Sequence, residues 1–280
     1  MKAESKPAVY VTMANTLNRA THNLSVVERR ILMLAISKLE NRKYTGNPSI
    51  RVTALELAEH AGITPEAAYI SAITADKQLY NRSIPLLHDL VTGEPKKGRT
   101  RWVTTSYYGA GEGYIELSIN NEILPYLTEL KREFTRYNHA RTGGFKSIYS
   151  CRLFDLLMQQ KSTGKLLIKI DDLADALEVP KSLRANFANM RNRAIEPAIR
   201  EIKEKDGLVI KWEPLKKKGR KILSLKFTFP KEQQTTLQLK EPKKSSRPKI
   251  NNAYIEQHAR PGESYEQARI RLQEEIKKAA

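Results

Sequence analysis

Asn189, Asn192, Arg193 and Arg200 carry the clearest chemistry in this chain. An arginine fork can make two hydrogen bonds to the major-groove edge of guanine, and an asparagine amide two to adenine. Lys203 adds a further cation. Placed about 100° apart around a helix axis, these residues and Glu196 share one side. Met190, Ala194, Ile195, Ala198, Ile199 and Ile202 share the other. One side can be buried and the other cannot; taken alone, the polar side also fits an ordinary solvated face. Arg191 falls by angle toward the apolar side, although from the first turn it can still reach a phosphate. Pro197 lacks the N–H that would bond the Arg193 carbonyl, which predicts a kink.

The element that must position these side chains reads as one long helix, from Ser182 to Lys205. A β-hairpin follows. Leu208, Ile210 and Trp212 alternate with Val209 and Lys211, and Leu223, Leu225, Phe227 and Phe229 alternate with polar residues. Between them run Lys216, Lys217, Lys218, Gly219, Arg220 and Lys221, five cations in six residues. Such a tip repels itself unless anions are near; its blander alternative is a solvated turn. A helix leading into a hairpin with a cationic tip is the outline of a winged helix, with the helix in the major groove and the wing along phosphates.

The first half repeats that order more mildly. Ser25 with Glu28 makes a capping box, and Val27, Ile31, Leu34 and Ala35 mark the buried stripe, with Arg29 and Arg30 on the wet side. Ile50 to Val52 reads as a strand. Thr53 with Glu56 makes a second capping box. Ala54 to Ile73 matches a helix-turn-helix, with Ala58 as the small contact residue, Gly62 at the turn, Thr64 as N-cap and Pro65 in the first turn. Its second helix exposes Glu66, Ser71, Asp76 and Lys77, a poor set for reading bases. Strands follow at Arg101–Tyr108 and Tyr114–Ile119, and Lys96, Lys97 and Arg99 form a basic turn that suits a first wing. A short helix is expected from Ile123 to Leu130. In the second half, Ile148 to Gln160 reads as a helix, Leu166 to Ile170 as a strand, and Asp171 to Leu177 as a helix with Ala174 as its small residue. Glu178 stands where glycine is usual, which predicts a longer turn.

The fold class expected is therefore α+β: two tandem winged-helix domains with a polar C-terminal extension. The boundaries are a flexible N-terminus at 1–22, a first domain at 23–137, a linker at 138–144, a second domain at 145–230 and a polar tail at 231–280, disordered or partly helical. Leu117, Ile119, Leu124, Leu127 and Leu130 give the first domain more apolar surface than its weakly basic face needs. They fit either its core or an isologous dimer contact.

The chain has 280 residues and a net charge of +18, with the densest positive excess at residues 146–230. Such a chain is expected to bind polyanions, most often nucleic acid. Its single cysteine, Cys151, allows no internal disulfide and suits a reducing compartment. The N-terminus has no apolar run of signal-peptide type, and no stretch approaches the roughly 18 apolar residues of a membrane span. The bacterial cytoplasm is the expected location. Ser162-Thr163-Gly164-Lys165 lacks the upstream glycine of a phosphate-binding loop. The five histidines are scattered, so no metal site is expected. No cofactor is expected, and nothing in the sequence supports catalysis.

NLSVVERRILMLAISKL near the start resembles the iteron-binding plasmid replication initiators. So do LSINNEILPYLTELKREFTRY (Leu117 to Tyr137), SIYSCRLFDLLMQQ (Ser147 to Gln160), FANMRNRAIEPAIREI and KKGRKILSLKFTF. The resemblance runs from about Asn15 to Phe229. It implies two winged-helix domains. The second would read repeated origin sites (iterons) in double-stranded DNA, and the first would touch adjacent backbone and supply the dimer interface. It implies a monomer that opens the origin, in equilibrium with a homodimer that binds an operator inverted repeat and represses its own gene. It also implies host partners, an initiator ATPase and a replicative helicase. It places the reading helix on Asn189 to Arg200. A transcription regulator of the same fold is the first alternative, and a DNA-nicking initiator enzyme the second.

Overall fold

The computed structural model describes residues 9–20, 23–40, 43–88, 95–109, 111–218, 221–232, 266–267 and 269–271. The chain divides into a large unit, residues 1–239, and a small one, residues 240–280. In the small unit the described residues are helical.

Val11 and Met13 alternate with more exposed neighbours, and the segment forms strand β1 (Tyr10–Ala14) followed by helix α1 (Asn15–Arg19). Val11, Met13 and Leu17 are buried. Residues 9–20, expected to be loose, are thus held by their apolar side chains. Ser25 opens α2 (Val26–Ser37): its hydroxyl accepts from the Glu28 N–H at 3.2 Å, and the Glu28 carboxylate accepts from the Ser25 N–H. After β2 (Ser49–Thr53), the Thr53 hydroxyl accepts from the Glu56 N–H at 3.2 Å and the Glu56 carboxylate from the Thr53 N–H at 2.9 Å. This box opens α3 (Ala54–Ala61). Gly62 closes α3 at φ +64°, and the Ile63 N–H returns to the Ala58 carbonyl at 3.1 Å. Thr64 and Pro65 start α4 (Pro65–Leu79), which buries Ala68, Ala72, Ala75 and Leu79.

β3 (Ser83–His88) pairs with β4 (Pro95–Arg101). The buried Trp102 separates β4 from β5 (Val103–Gly109), and β6 (Tyr114–Ile119) completes an antiparallel sheet of order β2-β6-β5. Asn121–Tyr126 is a 3-10 turn with Pro125 inside it, where a longer helix was expected. β7 (Phe134–Asn138) pairs with β1, Tyr10 opposite Asn138.

Leu117, Ile119, Leu124, Leu127 and Leu130 are all buried in this chain. The alternation of β6 and the turn after it carry them inward, so these five are core residues here rather than an exposed contact. Residues 138–144 also depart from expectation. They form a packed 3-10 turn (His139–Thr142) with His139 and Thr142 buried, not an open linker. A Cβ at Gly143 would collide with the His60 carbonyl oxygen, so glycine is what lets this turn press on α3.

α5 (Ile148–Gln159) is buried nearly all round. Then come β8 (Lys165–Lys169), α6 (Ile170–Ala176), α7 (Lys181–Arg184), α8 (Phe187–Met190), a π-turn (Arg191–Ile195), α9 (Glu196–Asp206), β9 (Lys211–Lys218) and β10 (Lys221–Thr228). The sheet order is β8-β10-β9, all antiparallel. Glu178 does not lengthen the turn after α6. It takes φ +56°, and the Val179 N–H returns to the Ala174 carbonyl at 2.9 Å, as Ile63 does to Ala58.

The two halves meet along a polar seam built on α5. Arg152, Asp155 and Gln159 recur at helical spacing on one side of it. Asp155 accepts from Arg29 of α2 at 2.7 and 2.6 Å and from the Tyr137 hydroxyl at 2.9 Å, and Arg29 also donates to the Tyr137 oxygen at 3.0 Å. Arg152 donates to the carbonyls of Asn18 at 2.9 Å, Ala20 at 2.7 Å and Ala176 at 2.8 Å. Arg19 donates to Gln159 at 2.7 Å. Arg30 donates to the carbonyls of Gly143 and Phe145. Arg29 and Arg30 therefore lie in the seam rather than on the wet side, because Asp155 and backbone carbonyls replace the water they lose.

Candidate nucleic-acid interface

The helix expected from Ser182 is broken. α7 ends at Arg184, whose guanidinium bonds Asp175 and the carbonyls of Val179 and Ala174. A new start follows at Asn186, whose side chain accepts from the Ala188 N–H at 2.8 Å. Asparagine favours this capping position because its oxygen satisfies an N–H the helix cannot. The helix expected to read DNA is thus α8, the π-turn and α9 in series.

Pro197 explains the π-turn. Its ring would press on the carbonyl four residues back, that of Arg193. The chain instead takes one wider turn, in which the Glu196 N–H bonds the Arg191 carbonyl, five residues back. The proline is then absorbed in the first turn of α9.

Met190, Ala194, Ile195, Ala198 and Ile202 are each at most 1% exposed. Asn189, Arg191, Asn192, Arg193, Arg200 and Lys203 are all exposed. Arg191 joins this surface although its helical angle pointed it inward: the wider turn shifts the phase of the side chains. Its Nε donates to the Asn192 side-chain oxygen at 3.1 Å. One face of this helix is thereby fixed by packing, and the other offers amides and guanidiniums in a row.

The wing pairs Lys218 with Lys221, Lys217 with Ile222 and Lys216 with Ser224 along the backbone. The side chains of Lys216, Lys217 and Lys218 lie outside the described part of the structure, as do those of Lys96 and Lys97. Arg220 lies wholly outside it. Arg99 is described and exposed, and its guanidinium donates to the Ser83 hydroxyl across the first hairpin at 3.1 and 2.6 Å. At the base of the second wing, Trp212 Nε1–H donates to the Glu196 carboxylate at 3.2 Å. That contact escaped the sequence reading, as did the seam. The seam had a signal, since Arg152, Asp155 and Gln159 share one side of a helix otherwise apolar.

No helix among the described residues is long and apolar enough to cross a membrane, and no cluster of three metal-ligating side chains occurs among them.

Residues 10–158 match the family model described as initiator replication protein, WH1, and residues 169–229 the one described as initiator Rep protein, WH2. The first model takes in α5, which the sequence reading had assigned to the second domain. The chain is 24% identical over 219 residues to an uncharacterized 27.6 kDa protein of Escherichia coli, covering 73% of this chain and 89% of that one. It is 25% identical over 248 residues to the PI protein of Escherichia coli, covering 77% and 80%. It is 29% identical over 168 residues to a replication initiation protein of the same organism, covering 57% and 51%. The fold matches the crystal structure of Pi initiator protein in complex with iteron DNA, with a TM-score of 0.70 at 23% identity, covering 82% of this chain and all of that one. With both winged-helix models matched in order over most of its length, the chain belongs to the family of replication initiator proteins.

Proposed function

We propose that the protein binds double-stranded DNA at repeated origin sites of a plasmid and starts replication there, without catalysing a reaction itself. The observation that carries this is the helix from Phe187 to Asp206: its buried face is saturated, and Asn189, Asn192, Arg193 and Arg200 are exposed together on the other. Asparagine and arginine in that setting suit adenine and guanine edges. Arg191, Lys203 and the basic tip at Lys216, Lys217, Lys218 and Arg220 suit phosphates, and Lys96, Lys97 and Arg99 suit the flanking backbone. The relative crystallised with iteron DNA supports repeats as the target.

The regulatory part of the reading is a monomer that binds iterons and a dimer that represses its own gene. Since Leu117, Ile119, Leu124, Leu127 and Leu130 are core in this chain, a dimer contact through them requires the first domain to repack. Melting of the origin would be completed by a host initiator ATPase and a replicative helicase in the bacterial cytoplasm. Footprinting on the DNA beside the gene tests the central claim. Directly repeated protected sites are expected, and a single uniform or sequence-indifferent footprint overturns it. Incubation of supercoiled origin DNA with Mg²⁺ should yield no covalent protein–DNA adduct; an adduct would make the protein an enzyme.

A further inference from the structure

Trp212 links the second wing to the helix that follows Asn186. Trp212, on β9, is half-buried, and its Nε1–H donates to Glu196 Oε1 at 3.2 Å. Phe187, the first residue of α8, stands edge-on to the indole, with ring centroids 6.1 Å apart at 71°. Glu196 is the residue at which the π-turn reverts to α-helix, and Pro197 follows it. A single indole thus touches the beginning of the reading helix and its irregular middle.

Glu196 lies four residues before Arg200 in α9, a spacing that brings side chains together on a helix surface. A carboxylate left free there would pair with that arginine or repel a nearby phosphate. The bond to Trp212 turns one of its oxygens toward the sheet instead. From Trp212 the strand runs on to Lys216, Lys217 and Lys218, paired with β10 through two register shifts, one on each side of Ser224. A change of tilt at Trp212 reaches the wing tip along this paired but irregular strand.

We propose that Glu196 and Trp212 are positioning residues, whose bond sets the wing at a fixed distance and angle from the reading helix. Base edges under Arg193 and Arg200 and phosphates under the wing are then engaged in one register. The inference rests on the DNA reading above, and neither residue has to touch DNA.

The test uses the full chain with Trp212→Phe, Glu196→Ala and Glu196→Gln. Phenylalanine keeps a ring beside Phe187 and loses the donor. Glutamine keeps the acceptor and loses the charge. Affinity is measured on a duplex carrying the footprinted repeat and on a random duplex of equal length, with a melting temperature for each variant. Trp212→Phe and Glu196→Ala should each lower the ratio of specific to random affinity about tenfold, and Glu196→Gln should restore it. Adding Lys216→Gln and Lys217→Gln should weaken specific binding at least about threefold less in the Trp212→Phe background than in the native one, the mark of coupled sites. Should Trp212→Phe melt early, Glu196→Ala carries the same comparison with the ring intact. Ratios unchanged in both variants, with additive wing effects, overturn the proposal. So does a Glu196→Gln as poor as Glu196→Ala, which would assign the role to the charge. A native protein that does not prefer the repeat would defeat the DNA reading itself, a result independent of the variants.

Discussion

The two helix-turn-helix units share a backbone and differ in what they expose. Each closes its first helix through a left-handed residue, Gly62 in one and Glu178 in the other, onto the carbonyl of a small alanine, Ala58 or Ala174. Their second helices diverge. α4 runs unbroken for 15 residues, lies on Ala68, Ala72 and Ala75, and has Asp76 tied to Ser106 of β5. Its counterpart is interrupted before Asn186 and widened at Arg191–Ile195. The regular helix is the one with little to offer a base. The irregular one carries the exposed Asn and Arg side chains, as expected where local rules give way to function.

The same comparison extends to the seam, where both first helices end. The end of α3 meets His139 and Gly143, and the Ala176 carbonyl of α6 meets Arg152. The largest effect expected from breaking it comes from Asp155→Ala. Arg29 and Asp155 are both 4% exposed, and removing the carboxylate strands a buried guanidinium beside Tyr137. A loss of about 3–5 kcal/mol follows, readable by urea unfolding. A loss below about 1 kcal/mol would show that water reaches Arg29 and that the seam is open in solution.

Acid should act on the first unit's end of the seam. His60 and His139 stack with centroids 3.6 Å apart. Burial, with Arg30 and Arg29 nearby, pushes His60 down to about 4, and burial with His60 and Arg29 pushes His139 down to about 2. Both are therefore neutral when folded and take up protons on unfolding. Their contribution is complete above the unfolded value of about 6.5. It is lost as pH falls toward about 4 for His60 and about 2 for His139. By pH 5.5 the pair should have removed roughly 3 kcal/mol. His139→Gln should flatten the decline; a stability curve of unchanged slope in that variant would assign the acid sensitivity elsewhere.

On DNA the contrast between the second helices sharpens. Arg193→Ala should cost about 1–3 kcal/mol on the specific site and almost nothing on random DNA. Lys77→Ala, on the exposed face of α4, should change both equally and slightly. Equal losses on both duplexes for Arg193→Ala would reduce that residue to a phosphate contact.

Much of this architecture was legible because it follows from local rules. Both capping boxes, Gly62, Pro65 and the period of α5 are read from spacing alone. The buried and exposed faces of Met190 to Lys203 follow from angle, apart from Arg191. The angle of Arg191 points inward because the π-turn that shifts side-chain phase is not visible in the spacing, so only its reach to a phosphate is legible, and Pro197 announces an irregularity without saying which kind. The seam was missed for a different reason. The stripe of Arg152, Asp155 and Gln159 on α5 is visible in the spacing, but distant elements supply the partners of Arg29, Asp155 and Arg152, and charge alone does not say which. The same limit hid the bond between Trp212 and Glu196, whose 16-residue separation is bridged only by the fold.

The smallest effect tests the turn itself. Gly62 and Glu178 hold the same left-handed backbone, which glycine adopts freely and other residues at a cost of roughly 1–2 kcal/mol. Gly62→Ala should cost about that much, since the site has open space around it and only the backbone objects. Glu178→Gly relieves the same strain, so backbone considerations alone predict a gain. The carboxylate argues the other way. It accepts from the Asn23 N–H at 3.0 Å and lies 3.7 Å from the buried Arg152 guanidinium. Burial already pulls the Arg152 pKa down, and Glu178 opposes that pull. Losing a charge partner of a buried arginine should outweigh the relief, for a net loss of about 1 kcal/mol. Thermal unfolding of the two variants side by side decides it. A Glu178→Gly protein more stable than the native one would mean that the strained glutamate contributes nothing to the seam, and that the second turn differs from the first only by an unfavourable residue.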